Sequence, residues 1–543
     1  MDDRVILLLL FPLGGALLCL ASRLLRSPWP ARLISLLALL AWGFVTAGLL
    51  GPVLSGAVLE YSLSGWREPV GITLTVDRVG LLATCLAVVV SVLSLLFSFA
   101  QREDPVFHFA FLMLLVGMQG VILTGDLFNM FVFFEILSIA TFVLVAHTGT
   151  ADAHRASFDY LMVSSLGMAL FLLGTFLVYQ DVGSFAMADV RAATPAAGSR
   201  SLLLGVVSMS VGVGIKAALV PLHFWLPDAH GQAPHPVSAV LSGVMLKVSL
   251  LAFVRIQSLA AGAPPRAVML WAGAAAALLG VVGALAQRDP KRLLGYHSVS
   301  QMGYIVAAWA VGSAAGSAAA LGHALSHGLF KATLFLTVGA AVHHGARNVG
   351  RASGLSAGAR AALLPPFAVG ALAICGVPPL NGFVSKGMIA EALKGEPAYW
   401  LLRVAAAGTF ASLMKLSLLF LRDGRRSAEA RPEPLRAAMV VPCWLLASLC
   451  VATGSVRCVR VDTVALSAPT LRWSWHAVLD ALLPLPAGAA LFALVRSRAA
   501  KRLLEGLGAL DPGLEGSLVF VLAAFCALAL AAWLPAGLLG LPW

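Results

Sequence analysis

The chain has 543 residues, of which 60% are hydrophobic and only 11% charged, with a net charge of +12. Soluble domains carry about 25% charged residues, so a soluble enzyme, a disordered chain and a nucleic-acid binder are all excluded despite the basic balance. Seven cysteines, at 19, 85, 375, 443, 450, 458 and 526, form no C-x-x-C pair. That pattern offers no disulfide framework, zinc site or iron–sulfur site, so no metal and no cofactor is expected in this chain.

Apolar windows long enough to cross a bilayer recur along the whole sequence. Sixteen are predicted, at about 4–22, 31–51, 75–99, 106–124, 127–147, 158–179, 203–222, 236–258, 268–286, 296–313, 317–342, 361–389, 399–421, 437–456, 475–496 and 515–535. The first has the look of a signal peptide. However, Leu18 precedes Cys19 where a lipoprotein cleavage site needs a small residue, and Arg23 and Arg26 follow at once, as after a retained helix. Twenty Lys and Arg residues fall in the loops after odd-numbered spans and twelve on the opposite side. The positive-inside rule then puts the first set in the cytoplasm and both termini outside an inner, cytoplasmic membrane.

The titratable residues inside the spans carry the functional signal. In the fifth span, FNMFVFFEILSIATFVLVA places Glu135 among aromatic and aliphatic neighbours, with Asp126 nearer the helix end. A buried acid must find hydrogen bonds, find a cation or stay protonated; a lysine partner is the favoured expectation. Lys216 and Lys247 follow in the seventh and eighth spans, with His223 just after the first of them. In the eleventh, His323, His327 and Lys331 recur at steps of four and so share one helix face. Two histidines at that spacing can seat a metal, but zinc needs a third ligand and no H-E-x-x-H is present. The same residues can equally hydrogen-bond between helices or form a titratable stripe. Lys386 and Lys415 complete the set.

Five of the eight lysines thus lie inside apolar spans, while 29 of the 37 cations are arginines. A lysine at a helix centre costs about 2.5–3.5 kcal/mol to insert. Arginine would anchor an interface as well, but only lysine readily gives up its proton when buried. Snorkelling to an interface is the plainer reading, and for Lys415 it stands level with burial.

Two segments resemble one another. Lys216 precedes Pro221 by five residues, and Lys386 follows Pro378 and Pro379 in GVPPLNGFVSK; a second lysine comes 31 and 29 residues later. Proline breaks free backbone carbonyls at membrane depth, which is tolerated only where the backbone faces protein or water. Because the seventh and twelfth spans run in opposite directions, the pattern is that of an inverted-topology repeat.

At these residues the chain resembles a known family. TGDLFNMFVFFEILSIATFVLVA, IKAALVPLHFWLPDAHGQAPHPVSAVLSGVMLK, HALSHGLFKATLFL and GVPPLNGFVSK are similar to the antiporter-like subunits of respiratory complex I, Mrp-type cation/proton antiporters and membrane-bound hydrogenases, over about residues 75–420. The wording is most similar to the D-type component of Mrp antiporters and its hydrogenase equivalents. The resemblance implies an all-α polytopic membrane protein with a fourteen-helix core. That core would hold two inverted five-helix repeats, with helices 7 and 12 broken, and about two extra helices would follow it at the C-terminus. It divides the chain into residues 1–74 (two helices and an external loop), 75–258 (first half), 259–421 (second half) and 422–543 (C-terminal helices). It also implies a proton pathway through Glu135, Lys216, Lys247, His323, His327, Lys331 and Lys386, where some relatives carry glutamate at the last position. Lys415, Asp126 and His223 are additional candidates. The loop at 496–515 is too short for the long lateral helix of the largest complex I subunit.

The expected function is proton translocation within a multisubunit membrane complex, with other membrane subunits, lipid and protons, or sodium, as partners. The chain holds no redox or hydrolytic centre of its own, so whether it serves an enzyme, as the pump of a quinone oxidoreductase or hydrogenase, stays open. The alternatives are an Mrp-type subunit with no redox arm and a self-contained secondary antiporter. A scaffold that merely anchors a redox arm would leave five buried lysines without a use.

Overall fold

Each membrane helix must satisfy its first-turn amides at the polar boundary, and Asp, Ser and Thr do so with one side-chain acceptor. In the computed structural model, Asp77 accepts from Gly80, Asp104 from Phe107, Asp126 from Asn129 and Thr150 from Ala153. Asp289, Ser313 and Ser356 cap three later helices in the same way. These caps set the helix starts and keep many connections short. The structure describes residues 2–25, 27–66, 68–101, 103–197, 200–259, 266–346, 348–349, 355–421, 435–455, 475–497 and 513–533, together with positions 500, 502, 504 and 506. The cation-rich connections 422–434 and 456–474, Cys458 and most of the 496–515 loop lie outside the described residues.

The helices in chain order are α1 (Arg4–Ala21), α2 (Trp29–Leu54), α3 (Arg78–Ser98), α4 (Pro105–Leu123), α5 (Leu127–Ala146), α6 (Ala151–Val182) and a short α7 (Met187–Ala197). Then come α8 (Arg200–Lys216), α9 (Trp225–Gln232), α10 (His235–Val240), α11 (Leu246–Gln257), α12 (Arg266–Ala286), α13 (Pro290–Ala310) and α14 (Ala314–His343). The last set is α15 (Ala357–Cys375), α16 (Asn381–Ala392), α17 (Ala398–Leu421), α18 (Ala437–Ser455), α19 (Trp475–Leu482), α20 (Pro484–Val495) and a final helix, Gly513–Trp533. Among the described residues, 13 helical stretches are long and apolar enough to cross a membrane. The protein is a multi-pass, all-α membrane protein. Among the described residues its one sheet is a small antiparallel hairpin, β1 (Leu59–Ser62) with β2 (Thr73–Val76), in the loop between α2 and α3.

Each of the sixteen apolar windows overlaps helix among the described residues, and three differ instructively. The seventh ends at Lys216, and the chain unwinds through 217–224 before α9. The twelfth splits into α15 and α16 around 376–380. The tenth begins at Pro290 and not at 296, because Asp289 and Pro290 supply an N-cap and a preorganised first turn. This puts Lys291 and Arg292, expected in a loop, inside the helix. Lys291 is buried, its Nζ donating to the Ala233 carbonyl.

Small residues set the closest helix approaches. A methyl group on Gly212 of α8 would collide with the Gly167 carbonyl of α6, and one on Gly174 with the Gly205 carbonyl. Such contacts stand in for the hydrophobic drive that lipid removes. The final helix returns to pack on α8 and α6, with Phe520 5.4 Å from Phe224.

Candidate functional site

The first broken helix ends in a hydroxyl cage. The glycine contacts between α6 and α8 bring Ser164 and Tyr160 against Lys216, and α5 adds Ser138. Lys216 is fully buried, and its Nζ donates to Ser138 and Ser164, with Tyr160 Oη at 3.4 Å. Its position on the last turn of α8 also places the charge where the helix dipole favours a cation. The break is satisfied locally: Trp225 Nε1 donates to the Ile215 carbonyl at 2.9 Å and its ring packs 4.8 Å from Tyr160. His223 lies buried within the break.

The lysine partner expected for Glu135 is not found among the described residues. Among the described residues Glu135 makes no hydrogen bond or ion pair, and it is half-buried. Residues three apart on a helix differ by about 60° in direction, so α5 turns Ser138 inward and Glu135 toward its outer stripe. That stripe includes the exposed Phe128, Val132 and Ile139. Asp126, another candidate, is the N-cap of α5, accepting from Asn129 N at 2.7 Å.

Beyond the cage, α10 and α11 join through a π-helical turn, Leu241–Met245, and Lys247 donates to the Ser242 carbonyl there. Such turns leave carbonyls outside the regular ladder. Ser242 Oγ also meets Ser298 Oγ at 2.7 Å. On α14, Lys331 donates to the Leu294 carbonyl and lies 5.0 Å from the Phe335 ring. One turn before it, His327 is fully buried with no protein partner on either ring nitrogen among the described residues. The His327 and His323 rings stack 6.2 Å apart. His323 Nδ1 sits 3.0 Å from Ser385 Oγ, and its Nε2 3.1 Å from Gln301 Oε1. Ser385 belongs to α16, so the stripe reaches the second broken helix directly. Tyr304 lies 6.1 Å from His323 on one side and 4.7 Å from Lys386 Nζ on the other.

The predicted stripe is therefore brought together from His323 through Lys331, and it leads to Lys386. Among the described residues Lys386 Nζ has no hydrogen-bond partner, although its side chain borders a large cavity. Lys415 stands apart: its Nζ donates to the carbonyls of Leu285 at 2.7 Å and Gln287 at 2.5 Å, capping the C-terminal end of α12. That is the anchoring alternative, with the dipole as its cause. Among the described residues no group of three His, Cys, Asp or Glu is arranged to hold a metal.

Sequence reasoning misses the polar residues between the lysines. Ser138, Tyr160, Ser164, Gln301, Tyr304 and Ser385 are too common in membrane helices to be singled out one by one. It also misses two buried histidines: His230, with no protein partner on either nitrogen among the described residues, and His297, whose Nε2 meets Ser412 Oγ at 2.8 Å. Their signal is present in LPDAH and GYHSVSQMGY, where histidine stands beside other polar residues in or next to a membrane span.

A membrane bundle with two broken helices and a row of buried amines and imidazoles between them defines an antiporter-like ion-pathway protein. Residues 124–414 match the family described as NADH:quinone oxidoreductase/Mrp antiporter, TM, and the chain belongs to that family. The N-type component of the NADH-quinone oxidoreductase of Desulforudis audaxviator strain MP104C is 37% identical over 368 residues, covering 63% of this chain and 73% of that protein. The D-type component of the Na(+)/H(+) antiporter of Bacillus subtilis strain 168 is 30% identical over 80% of this chain and 89% of that protein. Among solved structures, the membrane-bound sulfane sulfur reductase, an archaeal respiratory membrane complex, contains a chain that superposes with a TM-score of 0.77 at 25% identity, covering 90% of this chain and all (100%) of that one.

Proposed function

We propose that this chain is the proton-translocating, antiporter-like subunit of a multisubunit complex in the inner membrane, with both termini on the outer side. Protons move from the Lys216 cage by way of Lys247 to the His327–His323 stripe beside Lys331, and leave through Lys386. On this reading residues 75–258 form the entry half and 259–421 the exit half. The observation that carries it is the continuity of the polar row: Ser385 and Gln301 on His323, then Tyr304 between His323 and Lys386. The nitrogens of His230 and His327, without a partner among the described residues, are buried groups of the kind that ordered water completes, and water supplies the remaining steps of a proton wire.

Glu135 supports the multisubunit part. A carboxylate on an outward face among exposed phenylalanine, valine and isoleucine is costly against lipid alone, so a neighbouring subunit covers that face and meets the acid. Movement of Glu135 between that neighbour and the Lys216 cage couples the two subunits. A self-contained sodium antiporter fits less well, since sodium sites draw on intramembrane carboxylates or unwound carbonyls and Glu135 points away from the row.

The test is proton translocation by the purified complex in vesicles, with its subunits identified. Lys331→Ala should stop coupled translocation while every subunit remains present. Full translocation in that variant would overturn the pathway. Drive by a quinone or hydrogen reaction would mark a redox pump, and drive by a cation gradient alone the Mrp-type alternative.

A further inference from the structure

Beyond the family-matched residues, α19 and α20 pack beside α16 and α17. Together they wall a cavity of about 1,090 Å³ whose lining includes Lys386, Glu391, Trp400, Arg403, His476 and Asp480. At its outer end Trp400 is 69% exposed and the Lys394 and Glu391 side chains stand in the open. At its inner end is the Lys386 amine, which has no hydrogen-bond partner among the described residues, so the cavity leads from a buried amine to the surface. Between the two lies the ion pair of Arg403 and Asp480. Arg403 Nη1 reaches Asp480 Oδ2 at 3.0 Å and Nη2 reaches Oδ1 at 2.9 Å, while Nη2 also donates to the Asp480 carbonyl at 2.8 Å. This two-pronged clasp ties α17 to α19 and neutralises the guanidinium. Without the carboxylate, a fixed cation would stand in the path of every proton leaving Lys386 for water.

We propose that α19 and α20 complete a water-filled outer vestibule for the Lys386 exit, with Asp480 the positioning residue that holds and neutralises Arg403 at its mouth. The inference rests on Lys386 being the exit group. It assigns a transport role to helices that the pathway described above does not use. Asp480 works through Arg403, by geometry and by charge.

The experiment uses the whole complex in vesicles with the outer face accessible, in a Cys375→Ser, Cys458→Ser background whose own transport and labelling are measured alongside, because Cys375 also borders the cavity and Cys458 falls in a connection assigned to the outer side. Ala477→Cys should react with membrane-impermeant methanethiosulfonates from the outer side, and the reaction should block translocation. Asp480→Asn should lower translocation several-fold and Asp480→Glu should restore most of it. At Ala477→Cys, Asp480→Asn should also slow a cationic reagent relative to an anionic one, because the mouth has lost its negative charge. An unchanged ratio would mean that Asp480 sets no potential at the mouth and would overturn the assignment. If Asp480→Asn does not assemble, the labelling of Ala477→Cys decides. No labelling, or labelling without a transport effect, removes the vestibule. Lys386→Arg separates the two levels. If it is inactive while Asp480→Asn and modified Ala477→Cys translocate normally, only the vestibule falls; if it translocates, the exit reading falls and the vestibule with it.

Discussion

At the first break three hydroxyls close around the amine of Lys216, whereas at the second the amine of Lys386 meets only the face of Tyr304 and the edge of a cavity among the described residues. The two lysines also stand on opposite sides of their breaks: Lys216 ends α8 before the chain unwinds, and Lys386 lies inside α16 after it. A similar pattern of proline and lysine thus yields two different electrostatic settings. A buried ammonium with three acceptors is held in place, and one without partners exchanges its proton once water reaches it. The first setting fixes the amine inside a closed cage, and the second leaves it beside a cavity.

The largest expected effects separate those settings. Lys386→Arg should assemble normally, since the cavity beside it has room, yet translocation should be lost because guanidinium does not give up its proton. Lys386→Glu, still titratable, should keep part of the activity. The same exchange at the first site should fail differently. Lys216→Arg forces a larger head into a closed cage, so it should cost about 1–3 kcal/mol of stability, read as a lower melting temperature, as well as activity. Normal melting of that variant would show the cage to be loose and the contrast false. Ser164→Ala should come next, with translocation reduced several-fold while assembly holds, since Lys216 keeps Ser138 and Tyr160. Glu135→Gln should impair translocation by the complex yet leave the isolated subunit's melting unchanged, because the acid has no partner among the described residues. A large drop in that melting temperature would mean an internal partner exists.

The smallest effect lies outside the membrane. His147, just past α5, pairs with Glu103 at 2.9 Å, and that hydrogen bond raises the histidine above its ordinary range. The raised folded-state value means the pair's stabilisation is complete below about pH 6.5, the unfolded value. It is lost as pH rises through the folded value. His147→Gln should therefore flatten stability against pH above about pH 6.5, by no more than about 1 kcal/mol for a partly exposed pair. A melting curve as pH-dependent as that of the parent would remove His147 as the cause.

Much of the membrane architecture is legible in the sequence because hydropathy and proline breaks act over whole turns. The windows, both breaks and the His323–His327–Lys331 face depend on spacing alone, and spacing survives folding. The environment of single charges is not legible in this way. A lysine partner for Glu135 is the natural expectation, but whether Glu135 or Ser138 faces inward depends on a rotation of α5 that a uniformly apolar helix does not encode. Lys415 looks like the other buried lysines until its two carbonyl partners place it at the end of α12. Lys291 looks like a loop cation because hydropathy is blind to the start signal of Asp289 and Pro290. In each case the missing information is a contact or a cap that an apolar window does not record.

The final helix, Gly513–Trp533, has a practical consequence. It lies against α8 and α6, the pair that delivers Lys216 and Ser164 to their cage, and Phe520 touches the break itself through Phe224. A substitution that adds bulk on the packed face of this helix would press on that pair and on the break without changing any residue of the cage. Labels intended to leave the cage undisturbed belong away from this helix.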